Sequence, residues 1–295
     1  MDLSLFLQQL LNGISLGSLY ALIAIGYTMV YGIIRLINFA HGDILMVSTY
    51  FAYFGISVYA LPWWLSVIIA ILLTALLGIL IDLGAYRPVR HAPRISALIT
   101  AIGVSFLLEN LGLVVFGGRP KAFYRPDFLD KTYELGGVRV FSLSIWVPLV
   151  TALLLALVFL LLYRTRVGAA MRAVAKDMEM VQLMGIDVNR VISLTFAVGS
   201  ALAAAGGIMW AMKYPQINPL MGIIPGLKAF VAAVIGGIGN IHGAVLGGLL
   251  LGTTEILVVA FLPSLAGYRD AFAFILLILI LLFRPTGLAG KDTIG

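Results

Sequence analysis

Few side chains in this sequence could do chemistry, and they stand out against an apolar background. Asn38, His41 and Asp43 crowd around Gly42 in the run RLINFAHGDILM, Glu109 and Asn110 sit side by side in a later apolar run, and Glu255 lies inside another. Carboxylates, an amide and an imidazole at membrane depth suit proton or cation sites, or polar positions along a solute path. The bland alternative is that Glu109 and Glu255 are neutral or hydrogen-bonded links between helices. Other chemistry finds no support. Zero cysteines exclude disulfides, thiolate catalysis and Cys-ligated metals. His41, His91 and His242 are far apart in sequence and no HExxH occurs, so a metal site is not expected. No GxxxxGK[ST] loop is present to bind ATP, GGIGNIHG has the wrong spacing for a dinucleotide fingerprint, and nothing resembles a nucleophile elbow. The chain reads as a non-enzyme that binds no cofactor of its own.

Membrane helices must position these residues. With 62% hydrophobic and 11% charged residues and a mean hydropathy of +1.09, the chain has too little polar surface to cover a soluble globule. The net charge of +6 is carried in loops, where Lys and Arg set topology, so it does not point to nucleic acid. The opening MDLSLFLQQLLNG lacks a basic n-region, which argues against a cleavable signal peptide. Apolar runs cover 5–34, the stretch to 60, 63–84, 95–116, 144–162, 191–212, 241–262 and 270–283, with a half-helix expected near 228–240 before a glycine-rich turn at Asn240. The fold class is therefore all-α: a polytopic membrane helix bundle of about eight to nine segments, forming one membrane-embedded domain over 1–295. Arg87, Arg90 and Arg94, with no acid among them, mark a cytoplasmic loop, and Arg35 falls on the same side. The loop 117–142, of mixed charge, is then outside. Counting the half-helix as a crossing puts the C-terminus in the cytoplasm; counting it as re-entrant changes the parity.

Local patterns add detail. Gly13 and Gly17 form a small-residue pair for close packing, as does AVGSALAAAGG in the sixth run. Ala244, Gly248, Gly252 and Glu255 share one helix face, which points Glu255 at another helix or a cavity. Ser96, Thr100, Gly103 and Asn110 form a stripe expected to face protein or water. Asp43 is placed to cap the helix after the break at Gly42. KYPQINPLMGIIPG, with three prolines, cannot be a regular helix and reads as an outer connection dipping toward the membrane. Ile37-Asn38-x-x-x-Gly42 and Ile217-Asn218-x-x-x-Gly222 both follow small-residue spans, one descending and one ascending. An inverted-topology repeat leaves that pattern, and so does chance.

The longest cytoplasmic interruption is 163–190. There Met171, Val174, Met178 and Val181 recur at helical spacing while Arg172, Lys176 and Glu179 fall on another face, so one amphipathic helix is expected from Gly168 to Gly185. An exposed Met-rich stripe suits docking of a separate protein; the alternative is a helix lying on lipid headgroups.

Three blocks together, RLINFAHGDILM, GAAMRAVAKDMEMVQLMGIDVNRVISLTFAVGSALAAAGG and INPLMGIIPGLKAFVAAVIGGIGNIHGAVLGGLLLGTTE, resemble the LivH-type permease subunit of bacterial branched-chain amino acid ABC importers. The resemblance spans nearly the whole chain. It implies a multi-pass inner-membrane subunit that forms half of a translocation path. It also implies a second LivM-like permease, two cytoplasmic ATPases that use the ATP, and a periplasmic substrate-binding protein. The loop 163–190 matches the family's ATPase-coupling loop, which would make Gly168, Met171, Arg172, Ala173, Lys176, Met178 and Gly185 the coupling residues. Asn38, His41, Asp43, Asn110 and Glu255 are the candidates to line or gate the path. Two alternatives stay open: a related urea or amide importer, and an ion-coupled secondary transporter using Glu109 and Glu255. The docking loop argues against the second, because a carrier driven by an ion gradient has no need of it.

Overall fold

The computed structural model describes residues 3–90, 92–135 and 137–290, and His91 lies outside them. Eleven α-helices dominate: α1 (Leu3–Ile34), α2 (His41–Tyr53), α3 (Trp63–Ile81), α4 (Arg94–Phe116), α5 (Ser142–Arg164), α6 (Arg166–Lys176), α7 (Met178–Leu183), α8 (Val188–Lys213), α9 (Ile223–Gly236), α10 (Ile241–Phe261) and α11 (Arg269–Phe283). Strands are short. β2 (Thr132–Leu135) and β3 (Val138–Phe141) form an antiparallel hairpin, and β1 (Lys121–Ala122) pairs with β4 (Gln216–Ile217). Seven helices among the described residues are long and apolar enough to cross a membrane, so the chain is a polytopic helical membrane protein. The expected count of about eight to nine included the runs that become α2 and α9, and at 13 and 14 residues these helices are too short to cross alone.

Burial separates inner from outer helices. The apolar windows of α1 and α8 are 83% and 72% buried, while that of α11 is 6% buried and turns Ile278, Leu282 and Phe283 outward. A helix apolar all round belongs either in a protein core or against lipid, and this bundle contains both kinds.

Glycine decides how closely the inner helices meet. A Cβ on Gly17 would lie 2.7 Å from Leu249 Cα, one on Gly252 would strike the Gly17 backbone, and one on Gly248 would strike Ala21, so α1 and α10 pack antiparallel with backbones in contact. α3 and α8 repeat the arrangement, with Gly78 against Ser200 and Phe196. Each helix of the α1–α8 centre thus packs mainly on helices from the other half of the sequence, α1 on α10 and α8 on α3 foremost.

The two short helices finish broken crossings. After α1 the chain turns at Arg35 and runs back irregularly to His41, whose ring sits beside Ile23 well inside α1. From there α2, extended by a π turn over Phe54–Val58, climbs to the hairpin end. After α8 the chain pairs as β4 at the hairpin end, runs back to Gly222, and continues as α9 toward the arginine-rich end. The two helix starts meet where a Cβ on Gly42 or Gly222 would collide with the other's carbonyl. α1–α2–α3 and α8–α9–α10 each run as a long helix, an irregular return, a short helix and a long helix, and the two short helices start at this contact.

At its far end α9 is met by the C-terminal segment, where Leu288 N donates to Ile235 O (2.8 Å) and Ala289 N to Gly236 O (3.0 Å), so the open carbonyls of the half-helix are satisfied. The broken passage thus runs from one end of the bundle to the other, and the chain returns to the arginine-rich end by Gly290. One local expectation fails: α2 starts at His41 after Ala40 with no side-chain cap, so Asp43 lies inside the first turn and bonds elsewhere.

Gly252→Ala should cost about 1–3 kcal/mol by forcing α1 and α10 apart. Gly103→Ala, where a Cβ meets nothing within 4 Å, should be nearly neutral; thermal unfolding of both purified variants compares them.

Candidate functional site

Each polar residue of the first break is held by a different element. Asn38 is buried and its Oδ1 accepts from Tyr86 OH at 2.8 Å, a hydroxyl delivered by the π turn over Asp82–Tyr86 that prolongs α3. His41 Nε2 lies 3.2 Å from Ile23 O and its ring packs on Tyr27 at 4.4 Å. Asp43 Oδ2 accepts from Ser105 Oγ at 2.5 Å, which ties α2 to α4. The three share a segment but make no common constellation. What they accomplish is to tie the start of α2 and the segment before it to α3, α1 and α4.

Asn110 stands apart. It is exposed and its Nδ2 donates to Phe106 O one turn back at 2.7 Å. Within this chain the α4 stripe therefore does not face protein as a whole: Asn110 and Gly103 are exposed, whereas Ser96 and Thr100 are half-buried. Helical spacing gave the face, but this chain supplies no element to cover all of it.

Glu255 does point at neighbouring helices, as its face predicted. Its Oε1 lies 2.9 Å from Lys228 Nζ and 2.8 Å from Arg269 Nε, and its Oε2 accepts from Tyr20 OH at 3.0 Å. Lys228 Nζ also reaches Asp270 Oδ1 at 2.6 Å. Both Glu255 and Lys228 are 2% exposed at the side chain, so four helices, α1, α9, α10 and α11, converge on one compensated charge cluster. For α11, whose only fully buried residue is Ala273, this cluster is the main polar anchor. Sequence reasoning missed Lys228, Tyr20, Arg269 and Asp270. A lysine immediately before an apolar half-helix was a usable signal, because a buried acid needs a cation.

A second missed cluster lies at the arginine-rich end. Asp82, fully buried in the π turn, is paired with Arg90 at 2.7 Å and accepts from Ser193 Oγ at 2.6 Å, while Arg90 also donates to Asn189 Oδ1 at 2.6 Å. It joins α3 to the start of α8.

The loop 163–190 departs from its expected form. Two helices replace the single one, because Asp177 breaks out of helical geometry and its carboxylate accepts from Glu179 N and Met180 N, both at 3.0 Å, to cap α7. Gly168 is not the start either. Thr165 caps α6, its Oγ1 accepting from Gly168 N at 3.0 Å, and the missing Cβ at Gly168 lets α6 press on the backbone of Leu161 and Leu162. Gly185 does end the unit, with φ of 81°. The apolar stripe is not exposed: Met171, Val174 and Val181 are buried in this chain's own bundle, and Ala173 and Met178 are half-buried. Outward face Arg172, Lys176, Met180, Leu183 and Met184. The amphipathic pattern was read correctly, but its apolar side is spent on α1, α5 and α8.

Among the described residues no group of His, Cys, Asp and Glu could hold a metal ion. Two broken crossings meeting inside the bundle, with a polar two-helix elbow at one end, are an architecture found in membrane transport components. The chain belongs to the branched-chain amino acid transport system / permease component family, whose model matches residues 9–281. It is 44% identical to the high-affinity branched-chain amino acid transport system permease protein BraD of Pseudomonas aeruginosa, over 98% of this chain and 97% of the relative. It is 43% identical, with the same coverage, to LivH of Escherichia coli K12, which carries the same description. The ribose import permease protein RbsC of Haemophilus influenzae is 27% identical over 83% of this chain and 75% of the relative.

Glu255→Gln should destabilise the protein by about 3–5 kcal/mol, because it leaves Lys228 and Arg269 short of a counter-charge. The double variant Glu255→Leu with Lys228→Met should recover part of that loss, and thermal unfolding in detergent reads both.

Proposed function

We propose that this chain is a permease subunit of an ATP-driven importer and forms half of the path that carries branched-chain amino acids across a bacterial inner membrane. One observation carries the reading: identity of 43–44% over 98% of the chain to proteins described as high-affinity branched-chain amino acid permeases. The partners are a second, LivM-like permease, two ATPases on the cytoplasmic face and a periplasmic substrate-binding protein. ATP is used by the ATPases. The arginine-rich end, with the C-terminal segment, is cytoplasmic, since the short loop there carries Arg87, Arg90 and Arg94 with no acid among them.

The elbow of α6 and α7 supplies the coupling. Arg172 and Lys176, with the exposed Met180, Leu183 and Met184, form the surface an ATPase grips. Met171 and Val174 face the bundle, and Gly168, Ala173, Met178 and Gly185 shape the elbow, so its movement is passed to α1, α5 and α8 by rigid packing. Asn38, His41 and Asp43 lie where the first crossing breaks and are the candidates to line or gate the path, bonded to α3, α1 and α4 respectively. Asn110 is exposed on the α4 face left for a partner subunit. Glu255 serves as the anchor of α11; its pairing with Lys228 and Arg269 also removes the free carboxylate an ion-coupled carrier would need.

In the reconstituted assembly, Arg172→Ala combined with Lys176→Ala should reduce ATP-driven uptake of radiolabelled leucine about tenfold or more, the scale of a typical coupling energy. Solute transport by the purified chain alone under an ion gradient would overturn the reading.

A further inference from the structure

Outer helices of this bundle are not all finished in the same way. Along 63–81 of α3 and 144–160 of α5, every exposed residue is Leu, Ile, Trp or Ala, while the polar Ser66, Thr74, Ser144 and Thr151 are buried. Such faces suit lipid. α4, which packs chiefly on α2 and on the π turn over Asp82–Tyr86, departs from this rule: it exposes Asn110 and leaves Glu109 only half-buried, roughly 10 Å inside the helix end at Phe116. Glu109 makes no ion pair or hydrogen bond among the described residues, and Asn110 donates only to Phe106 O of its own helix. Two acceptors at membrane depth are thus left without donors.

Glycine gives an independent sign. Within the α-helices of the described residues every glycine but one has an atom of a neighbour within 4 Å of where its Cβ would stand, and the exception is Gly103, two turns from Asn110 on the same outer face. In this chain a helix glycine is where a neighbour sits. At Gly103 that neighbour is not part of the chain. Ile99, Ile102, Phe106 and Leu107, all exposed around the notch, make the rest of the face too apolar for a water-filled path.

We infer that this face of α4 seats a membrane-spanning helix of the second permease chain, packed into the notch at Gly103 and presenting a basic or amide donor to Glu109 and Asn110. An acyl chain has no donor to offer, and at this depth only a membrane-embedded segment can reach the carboxylate. The inference rests on the proposed function for there being a second permease, and adds where it sits and what chemistry it brings.

The whole importer is purified with photoreactive benzoylphenylalanine replacing Phe106 on α4 or, as a control, Leu72 on the exposed face of α3, and the adducts are identified by mass spectrometry. Position 106 should cross-link to the second permease chain and position 72 to lipid alone. Glu109→Leu should weaken retention of the second permease about three- to tenfold, the size of one polar contact between membrane helices. Gly103→Leu should weaken it as well, yet leave thermal unfolding of the purified chain unchanged, because the space beside Gly103 is open in this chain. Lipid adducts alone at position 106, adducts to another copy of this chain, or variants at Glu109 and Gly103 that hold the partner as tightly as wild type overturn the inference. A wild-type preparation that contains no second permease chain overturns the importer reading too, which separates the two failures.

Discussion

Everything in this bundle depends on two helix starts touching in its interior. Gly42 and Gly222 approach so closely that either Cβ would overlap the opposite carbonyl, and only glycine leaves that space. The contact fixes where α2 and α9 begin, and so how much irregular backbone must run back from each end. That backbone sits in an environment without water to satisfy it. Leu288 and Ala289, donating to the carbonyls at the end of α9, close one such gap, while Asn38 with Tyr86 and His41 with Ile23 O seat the first return segment against α3 and α1.

The same logic reassigns most of the buried charge. A carboxylate at membrane depth invites a transport role, yet Glu255 is compensated by Lys228 and Arg269, and Asp82 by Arg90. Such clusters bind peripheral elements to the inner helices, since truncating one member strands the others. α11 and the start of α8 are attached in this way. The unspent polar groups lie elsewhere: on the exposed face of α4 and on the outer surface of the α6–α7 elbow. These are the surfaces an assembly would use.

The elbow shows why pattern and role separate. Helical spacing finds the apolar side of 168–185 but not what that side meets, and two facts reverse the simplest reading. Asp177 caps a new helix instead of continuing the old one, and the methionine face is covered by the chain's own α1, α5 and α8. The exposed surface is accordingly the mixed one of Arg172, Lys176, Leu183 and Met184. A capping aspartate was legible in the sequence; burial of Met171 was not, because it depends on elements far away in the chain.

The amino-acid sequence by itself determined the membrane class, the family, the position of both breaks, and the helix faces built for close packing. The class, the breaks and the faces follow from hydropathy, from Gly and Pro placement, and from 3.6-residue periodicity, all of which are local, while the family follows from the resemblance of three sequence blocks. Tertiary structure alone decided that Gly42 meets Gly222 and that Glu255 meets Lys228. It also left part of the α4 stripe uncovered. A helix face announces what it needs, an apolar neighbour or a counter-charge, but several faces in one chain have the same need. Only the packing of distant segments selects which of them is satisfied by which.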